Sequence, residues 1–500
     1  MSARRTASDL IEHVLDADSF VSWDAPIDVS RWPQSYQREL ARAAERSGRD
    51  ESVITGRATV RGRPVAVVAS EFRFLAGSIG EEAARRIVSA VRRATTERIP
   101  VLATTASGGT RMQEGTPAFV RMVDISRAIM SHKAAGLPYL VHLGHPTTGG
   151  VFASWGSLGH VTVAEPGALV GFLGPKVYEV LHHHPFPEGV QTAENLVAHG
   201  IIDAVVSAED LPALVDRTLG ILIDPPKPPT LARRKPADGP SLSTWEAIER
   251  TRGTDRAGVR DVLRVGGEDT IRLQGTDEGE RDSAMIVALT RLDGEPCVVV
   301  GQDRKAQSRS PMGPAALREA RRGMRLANEL GLPLVSVIDT PGAELSKAAE
   351  EGALAGEIAR CIASMSTMTV PTVAVLLGEG CGGGALALFP ADVVVATQNA
   401  WLSPLPPEGA SAIVHGDADH AAEMAAAQRV SAADLFVAGT VHVLVPEEAD
   451  DDDDPAGLAR AVAAEAATQI RRLRTESSSG TSYVARPTAH RSDDVPGGGR

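Results

Sequence analysis

The chain has little cysteine, few aromatics and no long apolar run. Its three cysteines, Cys297, Cys361 and Cys381, stand apart, with no CxxC pair. That excludes a four-cysteine zinc ribbon and a disulfide framework, and it fits a reducing cytoplasm. Aromatics make up 4% of the residues and the formal net charge is −13. No basic surface interleaved with stacking rings results, so nucleic acid is not expected as a partner. No apolar stretch is long enough to span a bilayer, and no membrane association is expected. The N-terminus, MSARRTASDLIEHVLD, carries acidic residues and lacks an apolar h-region, so it does not read as a secretory signal. The phosphate-cradling GxxxxGK[ST] is missing, and no GxSxG elbow surrounds Ser107. His182, His183 and His184 precede a proline without partner spacing, so no metal site is expected.

What is present is ordinary globular composition, 43% hydrophobic and 23% charged. Five hundred residues exceed one core, which predicts two domains of roughly 200 residues plus tails. The chain also resembles itself. Gly109 maps to Gly342, Thr110 to Ala343, Pro138 to Pro371 and Gly150 to Gly384, and AEPGALVGFLGP from Ala164 lies opposite ATQNAWLSPLPP from Ala396. Strands are predicted within 53–70 about an RGRP turn, then a helix over 80–98 and a strand, IPVLATTAS, ending at Gly108-Gly109. A long helix and the strand LPYLVHLG follow. The second half repeats the plan, from MIVALTRLDGEPCVVVGQD to TVPTVAVLLGEG, where Gly382-Gly383-Gly384 starts an Ala-rich helix. Strands alternating with helices predict α/β cores with crossover connections. The Pro-rich, charged stretch 224–241 reads as an extended linker between domains 1–223 and 242–475. Asp450 to Asp454 reads as a solvated loop, and 476–500 as a disordered tail.

Glycine turns at strand ends cradle phosphates, bind dinucleotides or aim backbone N–H groups at a developing oxyanion. The only dinucleotide match is a lone Gly378-x-Gly380-x-x-Gly383, without the acidic residue expected about 20 positions on. The oxyanion reading uses what both halves share. One N–H would come from Gly109-Thr110 or Gly342-Ala343, the other from a helix N-terminus at Gly149-Gly150 or Gly383 to Ala385. Two such holes would stabilise two enolate-like oxygens, which suits group transfer between carbonyl compounds. The alternative is that these glycines only close tight turns.

TASGGTRMQEG, HPTTGGVFAS and AEPGALVGFLGPKV resemble the carboxyltransferase beta subunit of bacterial acetyl-CoA carboxylase. GPAALREARRGMRLANELGLPLVSVIDTPGA, GEGCGGGALAL and SPLPPEGASAI resemble its alpha subunit. The similarity covers roughly residues 10–220 and 285–446, in the order of a beta-then-alpha fusion. It implies a tandem duplication of the crotonase (ClpP-like) fold and transfer of CO2 from carboxybiotin to the α-carbon of an acyl-CoA. By position, Gly109, Thr110, Gly149 and Gly150, with Gly108 and Arg111 beside them, would hold the thioester oxygen. Gly342, Ala343, Gly384 and Ala385, with Gly383, would hold the ureido oxygen of biotin. No side-chain base is implied, since the biotin nitrogen can take the substrate proton. Ala387 is a candidate wall of the acyl pocket, and its small size favours acetyl-CoA, with propionyl-CoA open. Arg304 and Lys305, with Arg309 nearby, would meet CoA phosphates or form a solvated basic loop. The family's zinc ribbon is missing, ELSKAAEEG departs from its usual loop, and Thr110 replaces its alanine. No Met-Lys-Met biotin attachment sequence or ATP-binding half is recognisable. Biotin is therefore expected on a biotin carboxyl carrier protein served by a biotin carboxylase, and the chain is expected to form a dimer or hexamer. Biotin-dependent acyl-CoA decarboxylation and a non-catalytic scaffold are the alternative functions.

Overall fold

The computed structural model describes residues 6–235, 242–448, 451 and 454–478. Expectations for 236–241, for most of the acidic run and for the tail beyond 478 fall outside the described residues. The chain divides into two compact units, one of 1–224 with 271–281, the other of 225–270 with 282–500. Residues 225–235, expected within the linker, belong to the second unit and are fastened there. The Lys227 N–H donates to the Gly294 carbonyl at 3.0 Å, and the Thr230 N–H donates to Asp293 at 2.6 Å. Asp451, expected in a solvated loop, is buried and held by Arg234 at 2.6 Å.

The first sheet contains β1 (Val21–Ser22), β2 (Val53–Val60), β3 (Arg63–Ser70), β4 (Val101–Ser107), β5 (Tyr139–Thr148), β6 (Val161–Ala164) and β8 (Ala204–Val205), in that spatial order. β7 (Val170–Gly171) pairs with the end of β5. The second sheet contains β9 (Gly267–Leu273), β10 (Met285–Leu292), β11 (Glu295–Gln302), β12 (Leu334–Thr340), β13 (Thr372–Cys381), β14 (Val393–Thr397) and β16 (Val443–Val445). Their order is the same, and β15 (Trp401–Ser403) pairs with the end of β13. Each strand of the second sheet thus carries the number of its counterpart in the first plus eight. The β2–β3 and β10–β11 hairpins are antiparallel. Their two-residue turns, Arg61-Gly62 and Asp293-Gly294, have positive φ at both positions, the geometry that follows strand twist. The pairs from β3 to β6 and from β11 to β14 are parallel.

The crossover helices show why the copies fold alike. Helix Glu81–Glu97 buries Ala83, Ala84, Ile87, Val91 and Ala94. Helix Pro314–Leu330 buries Ala316, Leu317, Ala320, Met324 and Ala327, each 233 residues on. This helical spacing places one apolar stripe on each sheet. The caps match too: Gly80 and Gly313 are extended N-caps, and Arg98 and Gly331 end their helices in the left-handed region. The residues identified from the sequence in 101–175 and 334–407 therefore form one repeated strand order.

Candidate functional site

In the first unit, β4 runs out at Ser107 into the turn Gly108-Gly109-Thr110. Gly109 has φ +104°, and its N–H is taken by Ser107 Oγ at 3.0 Å. The Ile79 N–H donates to the Gly109 carbonyl at 2.9 Å, and the Arg111 N–H donates to the Ile79 carbonyl at 3.0 Å. These bonds fix both neighbours of Thr110 and leave the Thr110 N–H without a hydrogen-bond partner among the described residues. At the end of β5, Gly149 has φ +63° and donates its N–H to the Phe172 carbonyl at 2.9 Å. The Gly150 N–H makes no such bond. A Cβ on Gly109 would lie 3.3 Å from Gly149 Cα and from Gly150 N, so the two turns touch through their glycines. A Cβ on Gly150 would lie 2.9 Å from Thr110 Oγ1. Thr110 and Gly150 are therefore neighbours, while Gly109 and Gly149 have spent their donors on the scaffold. A cavity of about 530 Å³ opens here, lined by Leu75, Ala76, Ser78, Gly108, Thr110, Met112 and Gln113.

The second unit repeats the device. Gly342, with φ +131°, gives its N–H to Thr340 Oγ1 at 3.1 Å. The Glu344 N–H donates to the Met312 carbonyl at 2.9 Å, and the Ala343 N–H is left over. β13 ends at Cys381 and helix Gly382–Leu386 begins. The N–H groups of Gly383 and Gly384 lie in its first turn, where no intrahelical acceptor exists, whereas the Ala385 N–H makes the first intrahelical bond, to the Cys381 carbonyl. A Cβ on Gly384 would lie 3.4 Å from Ala343 N and 2.6 Å from Met312 Cε, so this glycine keeps the Ala343 N–H open. A Cβ on Gly383 would instead meet Ile358.

Two expectations change. The backbone aligns Gly149 with Gly382, at φ +63° and +65°, so Gly150 corresponds to Gly383 rather than Gly384. Gly149-Gly150 also opens no helix. Turns follow, up to the 3-10 segment Trp155–Ser157, so a helix dipole contributes only in the second unit. A signal that sequence reading missed is the run Leu75-Ala76-Gly77, left-handed at φ +46°, +56° and +64°. Non-glycine residues rarely adopt this conformation, and here it cradles the β4 turn. The Gly108 N–H donates to the Ala76 carbonyl at 2.9 Å, and Ser107 Oγ donates to the Gly77 carbonyl at 2.5 Å.

Arg111, expected beside the substrate, is 1% exposed. It pairs with Glu51 and with Glu114, the latter at 3.2 Å, and donates to Ser52 Oγ at 3.1 Å. Tyr36 Oη donates to Glu114 at 2.6 Å. Burial works against the Arg111 charge, but Glu51 and the other partners hold its pKa above the ordinary value. This is a structural clamp behind Thr110. Arg304 and Lys305 lie in the second unit, on a cavity of about 480 Å³ that Arg252, Arg256 and Arg260 also line. Arg304 donates to the Thr251 carbonyl and stands 3.3 Å from Glu379 and 3.9 Å from Asp339. Lys305 is half-exposed and 4.0 Å from Asp261. Arg252, Arg256 and Arg260 are likewise paired, with Glu408, Glu447 and Asp303. This lining is committed mostly to internal pairs. Ala387 is fully buried as the C-cap of helix Gly382–Leu386 and lines neither cavity. His182 and His184 pack around Tyr178, and no group of potential metal ligands occurs among the described residues. No described helix is long and apolar enough to cross a membrane.

A model of the carboxyl transferase domain matches residues 2–479. The chain is 56% identical over 472 residues to the probable biotin-dependent acyl-coenzyme A carboxylase beta3 subunit of Mycobacterium tuberculosis, covering 94% of this chain and 95% of that one. It is 37% identical over 473 residues to the acetyl-coenzyme A carboxylase carboxyl transferase subunits beta/alpha of Saccharopolyspora erythraea, covering 91% of this chain and 82% of the relative. Among solved structures, the transcarboxylase 12S hexamer core with hydrolysed methylmalonyl-coenzyme A bound aligns with a TM-score of 0.76 at 22% identity, over 94% of this chain and 90% of that one. The duplicated cores and this likeness define the crotonase-like fold of carboxyltransferases. The chain belongs to the carboxyl transferase domain family, among the carboxyltransferases of biotin-dependent acyl-CoA carboxylases.

Proposed function

We propose that this carboxyltransferase moves a carboxyl group from biotin, borne by a separate carrier protein, to the α-carbon of a short acyl-CoA, with acetyl-CoA giving malonyl-CoA. One observation carries the reading. The same strand-end turn in both units leaves one backbone N–H unpaired beside a second glycine turn, Thr110 with Gly150 and Ala343 with Gly384. Preorganised N–H groups stabilise an oxygen that gains charge in the transition state more than they stabilise the ground state. Thr110 and Gly150 would hold the thioester oxygen as it becomes an enolate. The cavity at Thr110, with Leu75, Ala76 and Met112 in its wall, would take the acyl end. Ala343 with Gly384 would hold the ureido oxygen, and Ala385, its N–H bonded within the helix, would back them. These groups suit that oxygen, because they offer backbone donors and Gly384 leaves room for close approach. When bound, biotin supplies the carboxyl group and a basic nitrogen for the substrate proton. The chain's own residues bind, orient and exclude water, so no side-chain base is needed.

Acetyl-CoA is supported by relatives at 30–37% identity that are named acetyl-coenzyme A carboxylase subunits, while the name of the 56% relative specifies no acyl group. The expected partners are a biotin carboxyl carrier protein and a biotin carboxylase. Homo-oligomerisation is supported by Phe119, Val120 and Val123, exposed on helix Gly115–Ala134, and by the hexameric transcarboxylase neighbour. The test is transfer from malonyl-CoA or methylmalonyl-CoA to free biotin. Biotin-dependent loss of malonyl-CoA is expected, faster than that of methylmalonyl-CoA. No biotin-dependent loss of either would overturn the function, and faster turnover of methylmalonyl-CoA would overturn the acyl assignment.

A further inference from the structure

We propose that Gln302 is a positioning residue of the second unit's oxyanion hole, tying its two turns together through one buried amide. The inference rests on the function proposed above and concerns a residue that touches neither substrate. Gln302 is the last residue of β11 and is fully buried. Its Nε2 donates to the Gly384 carbonyl at 2.8 Å, and its Oε1 accepts the Asp339 N–H at 3.1 Å. One partner is an acceptor and the other a donor, so only this amide orientation satisfies both. The Gly384 carbonyl lies in the first turn of helix Gly382–Leu386, so holding it fixes the turn that carries the Gly384 N–H. Asp339 lies three residues before Gly342, at the end of the strand that leads into the turn presenting the Ala343 N–H.

A second buried amide extends the tie. Gln307 Nε2 donates to the Asp339 carbonyl at 3.1 Å, and its Oε1 accepts from Thr340 Oγ1 at 2.6 Å. Thr340 Oγ1 in turn accepts the Gly342 N–H at 3.1 Å. A continuous path therefore runs from Gly384 through Gln302, Asp339, Gln307 and Thr340 to Gly342. Buried amides in a fully satisfied network lock backbone geometry tightly, because any displacement leaves a polar group unpaired.

The first unit shows that the fold itself does not require this path. The hairpin register sets Ser70 opposite Val53 and Gln302 opposite Met285, so Ser70 occupies the place of Gln302. Ser70 Oγ is buried without a hydrogen-bond partner, and it bridges nothing. At the same offset Leu75 stands where the second unit has Gln307. Two cores alike in strand order differ at this point, and the added amides converge on the backbone of one hole.

The experiment uses the full chain with Gln302→Leu, Gln302→Glu and, as control, Ser70→Ala. Gln302→Leu removes both bonds. Gln302→Glu keeps the shape and the acceptor while replacing the Nε2 donor, and it serves if the leucine variant does not fold. Thermal melting checks folding, steady-state malonyl-CoA to free-biotin transfer gives kcat and KM, and equilibrium titration gives malonyl-CoA affinity. The expected result is a kcat loss on the order of tenfold to a hundredfold, part of what loss of a hole donor costs, with malonyl-CoA KM and affinity within about twofold. Ser70→Ala should keep wild-type kcat. A folded Gln302 variant with wild-type kcat would overturn the inference. So would a kcat loss matched by an equal loss of malonyl-CoA affinity, the mark of general collapse. Gly384→Val run in parallel separates the two levels. If it is inactive while folded Gln302→Leu is normal, only the positioning role fails. If it keeps full turnover, the hole itself is wrong and this inference falls with it.

Discussion

Asp339 sits fully buried at the end of β12, against Arg304 and the Glu379 N–H, which donates to it at 3.1 Å. Burial penalises its charged form, and although Arg304 and that N–H oppose the shift, the carboxyl is pushed up from 3.8 to about 6. Between pH ~4 and ~6 the native state therefore holds a proton that the unfolded chain has released. Stability falls as pH rises through that window and is flat with respect to this group above it. Asp339→Asn keeps an acceptor for Glu379 and removes the penalty. It should exceed wild-type stability at pH 8, with the gap closing towards pH 4, as read by urea denaturation at both. A gap of one size at both pH values would contradict this. Single residues also mark where sequence reading stops. The pair Gly109-Thr110 is legible as a donor turn, but which N–H is free depends on Ser107 Oγ, 3.0 Å from Gly109 N. That choice of hydrogen-bond partner has no sequence signature.

The elements were largely legible because their punctuation is strong. Strands 101–107 and 139–148, the long helices and both hairpin turns lie where apolar runs and glycines place them. What was not legible is what long-range contacts decide. Gly149-Gly150 and Gly382-Gly383 look alike, yet only the second pair opens a helix. Arg111 sits in a glycine-rich motif that suggests ligand contact, but helix Gln34–Ser47 brings Tyr36 to Glu114, and Glu51 closes the clamp from just before β2. A Cβ on Gly80 would lie 2.3 Å from Glu114 Oε1 and 2.7 Å from Arg111 Nη1, so the clamp also explains that glycine. Breaking a buried pair leaves uncompensated charge and costs about 3–5 kcal/mol. Arg111→Met should lose that much stability by urea denaturation, and Arg111→Lys should not recover all of it, lacking the planar fork. In the fraction that stays folded, malonyl-CoA affinity should be unchanged. Wild-type stability with lost CoA-ester binding would return Arg111 to the substrate.

Over the whole molecule, one strand order occurs twice, and each copy ends in a turn with a spare N–H beside a glycine. Identity between the copies is low, yet glycine and proline landmarks at a nearly constant offset make the duplication legible in the sequence, and helix stripes, caps and hairpin turns repeat with it. The copies then diverge around these turns, with a left-handed run and an open cavity in one and two buried amides in the other. The proposed pair of oxyanion sites predicts that each half is separately indispensable to turnover. The most direct test is steady-state transfer from malonyl-CoA to free biotin by Gly150→Val and Gly384→Val, neither of which lies at positive φ, with folding checked by melting and malonyl-CoA binding measured alongside. Each folded variant should lose turnover by about 10²–10³ while keeping most of its CoA-ester binding. Near wild-type turnover in either folded variant would contradict the two-hole account for that half.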